Sequence, residues 1–190
     1  MKTEVPINLS NRHIHLSEKD LEKLFGKGYN LTSIKDLSQP GQFACDECVD
    51  IEGPKGTMKN IRILGPTRPD TQIELLLADT YKLGIPPIIK ESGDIAGSPG
   101  LKITGPKGSI DVKEGAIVAA RHIHMSNQDA LEYGLKDKDV VSVEVPGMRG
   151  IVFNNVLVRV GDKYSLDMHI DTEEGNAAGI KNGTLGKIIR

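Results

Sequence analysis

Among the residues able to do chemistry in this 190-residue chain, its five histidines carry the clearest spacing. Four form two His-x-His pairs, His13 with His15 and His122 with His124, and His169 follows alone. Side chains two apart share one face of a strand but diverge by about 200° on a helix, so each pair can clasp one cation only where the backbone is extended. A single pair is a weak signal, because surface or hydrogen-bonded histidines are commoner than ligands. Here two identical pairs and one later partner account for every histidine, and metal binding is the expected role.

The pairs sit in a longer repeat: Leu9-Ser-Asn-Arg-His-Ile-His-Leu-Ser17 recurs as Val118-Ala-Ala-Arg-His-Ile-His-Met-Ser126. Each copy ends in a serine suited to a helix N-cap, with Asp20 or Asp129 at the third helical position, facing the positive helix end. Helices are predicted over Glu18 to Phe25 and Asn127 to Tyr133, closed by Gly26 and Gly134 as left-handed C-caps. Downstream, Gly53-Pro-Lys-Gly56 followed by Asn60-Ile-Arg-Ile63 resembles Gly147-Met-Arg-Gly150 followed by Asn155-Val-Leu-Val158, both glycine-rich turns between paired strands.

The repeat also points to the missing ligand. His169 lies in Ser165-Leu-Asp-Met-His-Ile170, a strand following the Gly147 turn by about the distance at which Gln72-Ile-Glu-Leu75 follows the Gly53 turn. Glu74 then takes the place of His169 to within one residue. The plainer alternative for Glu74 is an outward-facing strand carboxylate. As a ligand it completes two sets of three donors: His13, His15 and Glu74, and His122, His124 and His169. Three protein ligands leave coordination positions open, as in catalytic and unlike closed structural zinc sites, and the donor types suit Zn while remaining compatible with Fe, Ni or Co.

Such sites need strands to carry them, and the composition supplies strands. Apolar runs are short and rich in Val and Ile, with 21 glycines, 10 prolines and no tryptophan, which points to a mainly β protein with tight turns. The length allows one large core or two small ones, and the repeat favours two. Lys plus Arg total 24 against 26 for Asp plus Glu, so no overall field favours nucleic acid or anionic lipid. No run approaches the roughly 20 apolar residues of a membrane span, and Met1-Lys2-Thr3-Glu4 lacks the build of a secretory signal, so a cytoplasmic protein is expected. Cys45 and Cys48 lie on a predicted strand, Phe43 to Ile51, where side chains three apart face opposite ways, so ordinary reduced thiols are expected. Gly105-Pro-Lys-Gly108 lacks phosphate-loop spacing and reads as a hairpin turn between Leu101 to Thr104 and Ser109 to Val112. Residues 86 to 100 read as an irregular loop.

Val5-Pro-Ile-Asn-Leu-Ser-Asn-Arg-His-Ile-His-Leu-Ser17, Leu37-Ser-Gln-Pro-Gly-Gln-Phe43, Ile63-Leu-Gly-Pro66, Thr71-Gln-Ile-Glu74, Ala120-Arg-His-Ile-His124 and Met168-His-Ile-Asp171 together resemble the PduL-type phosphotransacylases, or phosphate propanoyltransferases. The resemblance covers nearly the whole chain. It implies two pseudo-symmetric β-barrels capped by short α-helices: 2–11 with 120–189 in one, and 12–119 in the other, with a small flap at about 27–46 that includes Gln39-Pro-Gly-Gln42. It also implies interconversion of short-chain acyl-CoA (propanoyl-CoA or acetyl-CoA) plus phosphate with acyl phosphate plus CoA, at two zinc ions per chain held by the six donors above. Arg68, in Pro66-Thr-Arg-Pro69, matches the family's phosphate-binding arginine, and Lys35 is a candidate for the CoA nucleotide. The attacking group is then phosphate itself, and no serine or cysteine nucleophile is required. A homodimer is expected. Family members bound for bacterial microcompartments often carry an N-terminal targeting helix, whereas this sequence begins almost at its first strand.

Two other readings remain in play on the residues alone. A cupin-like enzyme also presents His-x-His, a carboxylate and a later histidine, but to a single metal, which leaves half of the donors idle. A non-catalytic metal-binding protein would instead close both sites with four ligands. A long metallohydrolase barrel fits poorly, since it calls for alternating strand and helix over about 250 residues.

Overall fold

The computed structural model describes residues 1–189. The chain opens with β1 (Glu4–Ser10), β2 (His13–His15), α1 (Glu18–Phe25), β3 (Ser33–Asp36), β4 (Phe43–Gly53), β5 (Gly56–Gly65), β6 (Gln72–Glu74) and α2 (Leu77–Leu83). It continues through β7 (Ile89–Lys90), β8 (Leu101–Thr104), β9 (Ser109–Val112), β10 (Ala116–Ala119), β11 (His122–Met125) and α3 (Asn127–Tyr133). The last elements are β12 (Val140–Val145), β13 (Ile151–Val160), β14 (Asp167–Asp171), α4 (Thr172–Ala178) and β15 (Thr184–Ile189).

The protein is mainly β, as its composition implies. One closed six-stranded barrel runs in the order β1-β14-β11-β13-β12-β15, and a curled nine-stranded sheet in the order β7-β10-β6-β2-β5-β4-β8-β9, with β3 added against β4. The chain divides into two compact units, the first of Met1–Asn11, Ser38–Pro40 and the chain from Ala120 onward, the second of Arg12–Leu37 and Gly41–Ala119. It therefore passes from one unit to the other immediately before each Arg-His-Ile-His segment.

Each unit has its own apolar core. Val5, Ile7, Ile123, Met125, Val143, Phe153, Val158 and Met168 fill the closed barrel, and Ile14, Leu24, Ile51, Ile63, Ile73, Leu83 and Ile103 fill the curled sheet. The long strands β5 and β13 reach these cores only because each changes phase midway. Buried residues fall at Met58, Ile61 and Ile63 in one and at Phe153, Val156 and Val158 in the other, so a strict period of two is broken once in each. The break coincides with Asn60 (φ 57°) and Asn155 (φ 58°), both left-handed, next to register shifts against β4 and β12. Asparagine tolerates that conformation better than β-branched residues do, and the bulge turns the rest of the strand back toward the core.

The two predicted helices have the predicted bounds, and Ser17 and Ser126 accept from the backbone N–H of Asp20 and Asp129. Gly134 closes α3 in the left-handed conformation, but Gly26 closes α1 at φ 111°, ψ 156°, a positive-φ extended geometry outside that well. Glycine serves there because it lacks the Cβ that penalises positive φ. The hairpin of β8 and β9 turns at Gly105–Gly108 as expected. The stretch 86–100 is less irregular than expected, since β7 pairs in parallel with β10. Among the described residues, no helix is long and apolar enough to cross a membrane.

Candidate metal centres

In the curled-sheet unit, β2 and β6 run antiparallel with His13 opposite Glu74 and His15 opposite Gln72. Two residues apart on each strand, all four side chains project to one face. Ligand atoms of His13, His15 and Glu74 lie within 4.8 Å of one another, and all three residues are buried. His13 Nε2 is 3.5 Å from Glu74 Oε2, and His15 Nε2 is 4.0 Å from Glu74 Oε1. Metal–ligand bonds of about 2.0–2.2 Å allow two donors to stand up to roughly 4.4 Å apart, so both separations suit a shared ion. The Nδ1 of His15 lies 3.2 Å from the carbonyl of Leu64, which leaves Nε2 for coordination.

Glu74 is held from behind. Its Oε1 accepts from Gln72 Nε2 at 2.7 Å and from Ser92 Oγ at 2.8 Å. The same serine oxygen accepts from Arg68 Nη1 at 3.3 Å, so Ser92 links the arginine to the carboxylate. Arg68 itself is anchored where its N–H donates to the carbonyl of Leu16 at 2.9 Å, just past β2. Its charge reaches His15. Burial first, then His13 and Arg68, push the His15 imidazole down to about 3. Burial alone would raise the Glu74 carboxyl, but His13, then His15 and the Ser92 hydrogen bond, hold it well below the usual carboxylate range.

The barrel unit repeats the arrangement, with His122 opposite His169 and His124 opposite Asp167 across β11 and β14. Ligand atoms of the three histidines again lie within 4.8 Å of one another. His122 Nδ1 lies 2.8 Å from the carbonyl of Ala120, and His169 Nε2 lies 2.8 Å from Asp167 Oδ2 and 3.2 Å from Ser38 Oγ. His124 differs. Both its ring nitrogens are buried without a hydrogen-bond partner, while the ring stacks on Tyr164 at 4.4 Å and 12°. An unsatisfied buried polar group costs about 1–3 kcal/mol, and a cation taken by one of these nitrogens would remove much of that deficit. Burial, followed by His122, His169 and Arg159, pushes the His124 imidazole down to about 2.

A pH dependence follows for the metal-free protein. His15 and His124 titrate near 3 and 2 when folded, against 6.5 in their ordinary state, so the unfolded chain takes up protons first as the pH falls. Their stabilising contribution is complete above about pH 6.5 and declines toward pH 3. Urea unfolding of metal-free protein should show a higher midpoint at pH 7 than at pH 5. An equal midpoint would refute the burial of neutral imidazoles.

Several residues at the sites carry no signal in single-sequence motifs. Arg12 and Arg121 precede the two His-x-His strands, and their Nε atoms donate to Asp79 of α2 and Glu174 of α4. The arginines are visible in the repeat, but neither partner helix is predicted from it. Ser92 falls in the stretch read as loop. Gln72 and Asp167 had a readable signal, each standing two residues before a candidate ligand. Lys35 lies on β3, whose four residues are all exposed. Cys45 and Cys48 are free thiols, and burial, then Glu47, pushes Cys45 up to about 11, out of the reactive range.

The family model for phosphate propanoyltransferase matches residues 6–181. The chain is 50% identical over 184 residues to the phosphate propanoyltransferase of Thermotoga maritima, covering 96% of this chain and 88% of that one. It is 47% identical over 186 residues to the Clostridioides difficile protein of that name, covering 98% and 89%, and 49% identical over 187 residues to that of Sebaldella termitidis, again covering 98% and 89%.

Proposed function

Since the chain belongs to the phosphate propanoyltransferase family and is a phosphate acyltransferase, we propose that it interconverts short-chain acyl-CoA plus phosphate with acyl phosphate plus CoA, using two zinc ions. The observation carrying this reading is the pair of three-donor sets at equivalent registers, one of them beside Arg68. His13, His15 and Glu74 would hold one ion, and His122, His124 and His169 the other. Zinc there supplies Lewis-acid stabilisation of charge on oxygen and tolerates a thiolate. In this reading the interleaved domains are 2–11 with 120–189, and 12–119, and the division of the chain into two compact units, with Ser38–Pro40 joining the first, supports it.

The chain's own groups suit the rest of the reaction. The Arg68 guanidinium is planar and can bind two phosphate oxygens at once, while its contact with Ser92 sets its orientation. A phosphate oxygen attacks the thioester carbonyl carbon, the C–S bond breaks, and CoA leaves as its thiolate. The new C–O bond makes the acyl phosphate. Phosphate is already largely anionic near neutral pH, so positioning matters more than a general base. Lys35, exposed on β3, is offered to the CoA phosphates.

The decisive assay is release of CoA thiol from propanoyl-CoA or acetyl-CoA. It should depend on added phosphate, and phosphate-independent release would mark a hydrolase. Protein purified without added metal should hold about two zinc ions per chain by elemental analysis. One ion or fewer in fully active protein would favour the mononuclear reading, and two inert ions without turnover a structural role.

A further inference from the structure

The two ligand sets share a register, yet one third ligand is a carboxylate and the other an imidazole. The residue two positions earlier also changes, from Gln72 to Asp167, and both lie buried opposite the second histidine of their pair. The changes are complementary. Gln72 Nε2 donates to Glu74 Oε1 at 2.7 Å, and Asp167 Oδ2 lies 2.8 Å from His169 Nε2, where an ionised carboxylate can only accept.

We propose that Gln72 and Asp167 are the positioning residues of the two metal centres, each matched in hydrogen-bond polarity to the ligand two residues on. The amide donor steadies a carboxylate ligand, and the carboxylate acceptor steadies an imidazole. The proposal rests on the two-metal reading above.

Both partners are locked in their roles. Gln72 Oε1 accepts from the N–H of Gly93 at 2.8 Å, which sets the amide with Nε2 toward Glu74; Nε2 also donates to Ser92 Oγ at 3.0 Å. Asp167 Oδ1 accepts from Asn8 Nδ2 at 2.9 Å, which leaves Oδ2 for the imidazole. Donation of the Nε2 proton to Asp167 selects the tautomer in which Nδ1 of His169 carries the lone pair for a metal. An imidazole N–H placed before Gln72 would meet an N–H, and a carboxylate placed before Asp167 would meet another carboxylate. Exchanging either third ligand alone therefore costs affinity at its site.

The test uses the full chain, stripped of metal and titrated with zinc against a chromophoric chelator, with the visible spectrum of the cobalt-substituted protein as a second readout. Gln72→Ala and Asp167→Ala should each weaken one of the two sites roughly 10- to 100-fold and shift the cobalt bands of that site alone. Glu74→His should weaken the first site, and Glu74→His with Gln72→Asp should recover most of that loss. The reciprocal pair, His169→Glu with and without Asp167→Gln, should behave alike. Should either alanine variant fail to fold, these swaps decide the matter, because they conserve buried polar groups. Normal affinity in both alanine variants, or swaps without recovery, would overturn the matching while leaving the two-metal reading intact. Complete loss of one ion in Asp167→Ala, with none in Gln72→Ala, would mark Asp167 as a ligand and overturn the shared role. Absence of zinc uptake by the unmodified chain would overturn the two-metal reading and this inference with it.

Discussion

Glu74→Ala should lose one of the two metal ions and depress turnover roughly 10²- to 10⁴-fold, the rate equivalent of several kcal/mol of charge stabilisation. Glu74 is buried, its Oε2 is 3.5 Å from His13 Nε2, and its Oε1 already takes two hydrogen bonds, so no neighbour stands ready to replace it. The variant leaves Gln72 Nε2 without one acceptor, a penalty of about 1–3 kcal/mol that the apolar core of the same unit should absorb without unfolding the chain. Glu74→His should retain more metal than Glu74→Ala, since an imidazole stands at the equivalent place in the other unit. Metal analysis beside circular dichroism separates lost coordination from lost folding. Two ions and normal turnover in both variants would reduce Glu74 to a strand carboxylate.

Arg68→Ala should raise the KM for phosphate roughly 30- to 150-fold, which corresponds to about 2–3 kcal/mol for a charged bidentate contact. Its metal content should stay unchanged, because Arg68 is not one of the candidate donors and its guanidinium meets Ser92, the hydroxyl behind Glu74, by a 3.3 Å hydrogen bond. Arg68→Lys should recover part of the loss, since a point charge attracts phosphate but cannot fork two oxygens. Initial rates across a phosphate series at saturating acyl-CoA measure both. An unchanged phosphate dependence would remove Arg68 from substrate binding. A loss of zinc in Arg68→Ala would instead place it among the groups that hold the metal site together.

Much of this protein is legible along the chain because its chemistry is local. A His-x-His pair declares its own geometry, since two side chains two residues apart share a face in a strand and in nothing else regular. The serine caps before α1 and α3 are likewise local, and their predicted bounds match the structure. Helices α2 and α4 escaped notice, although α4 has a capping box of Asp171 and Glu174. Seven residues each, they hold too few turns for apolar periodicity to stand out.

What lay beyond the sequence was partnership across strands. Repeat counting puts Glu74 at the place equivalent to His169 to within one residue, and only the pairing of β6 with β2 and of β14 with β11 gives the register residue by residue. A single-residue slip would turn every side chain to the other face, so the difference is between a ligand and a surface carboxylate. The bulges at Asn60 and Asn155 show why counting falls short, because one extra residue in a strand re-phases all that follow. By itself the sequence determined the candidate donor types, their pairing and the doubling of the unit, all carried by spacings of a few residues. Tertiary structure alone decided which groups stand behind each candidate ligand, Gln72 and Ser92 behind Glu74, Asp167 behind His169, and nothing at either nitrogen of His124. Those relations depend on hydrogen bonds and burial between distant segments, and no local spacing encodes them.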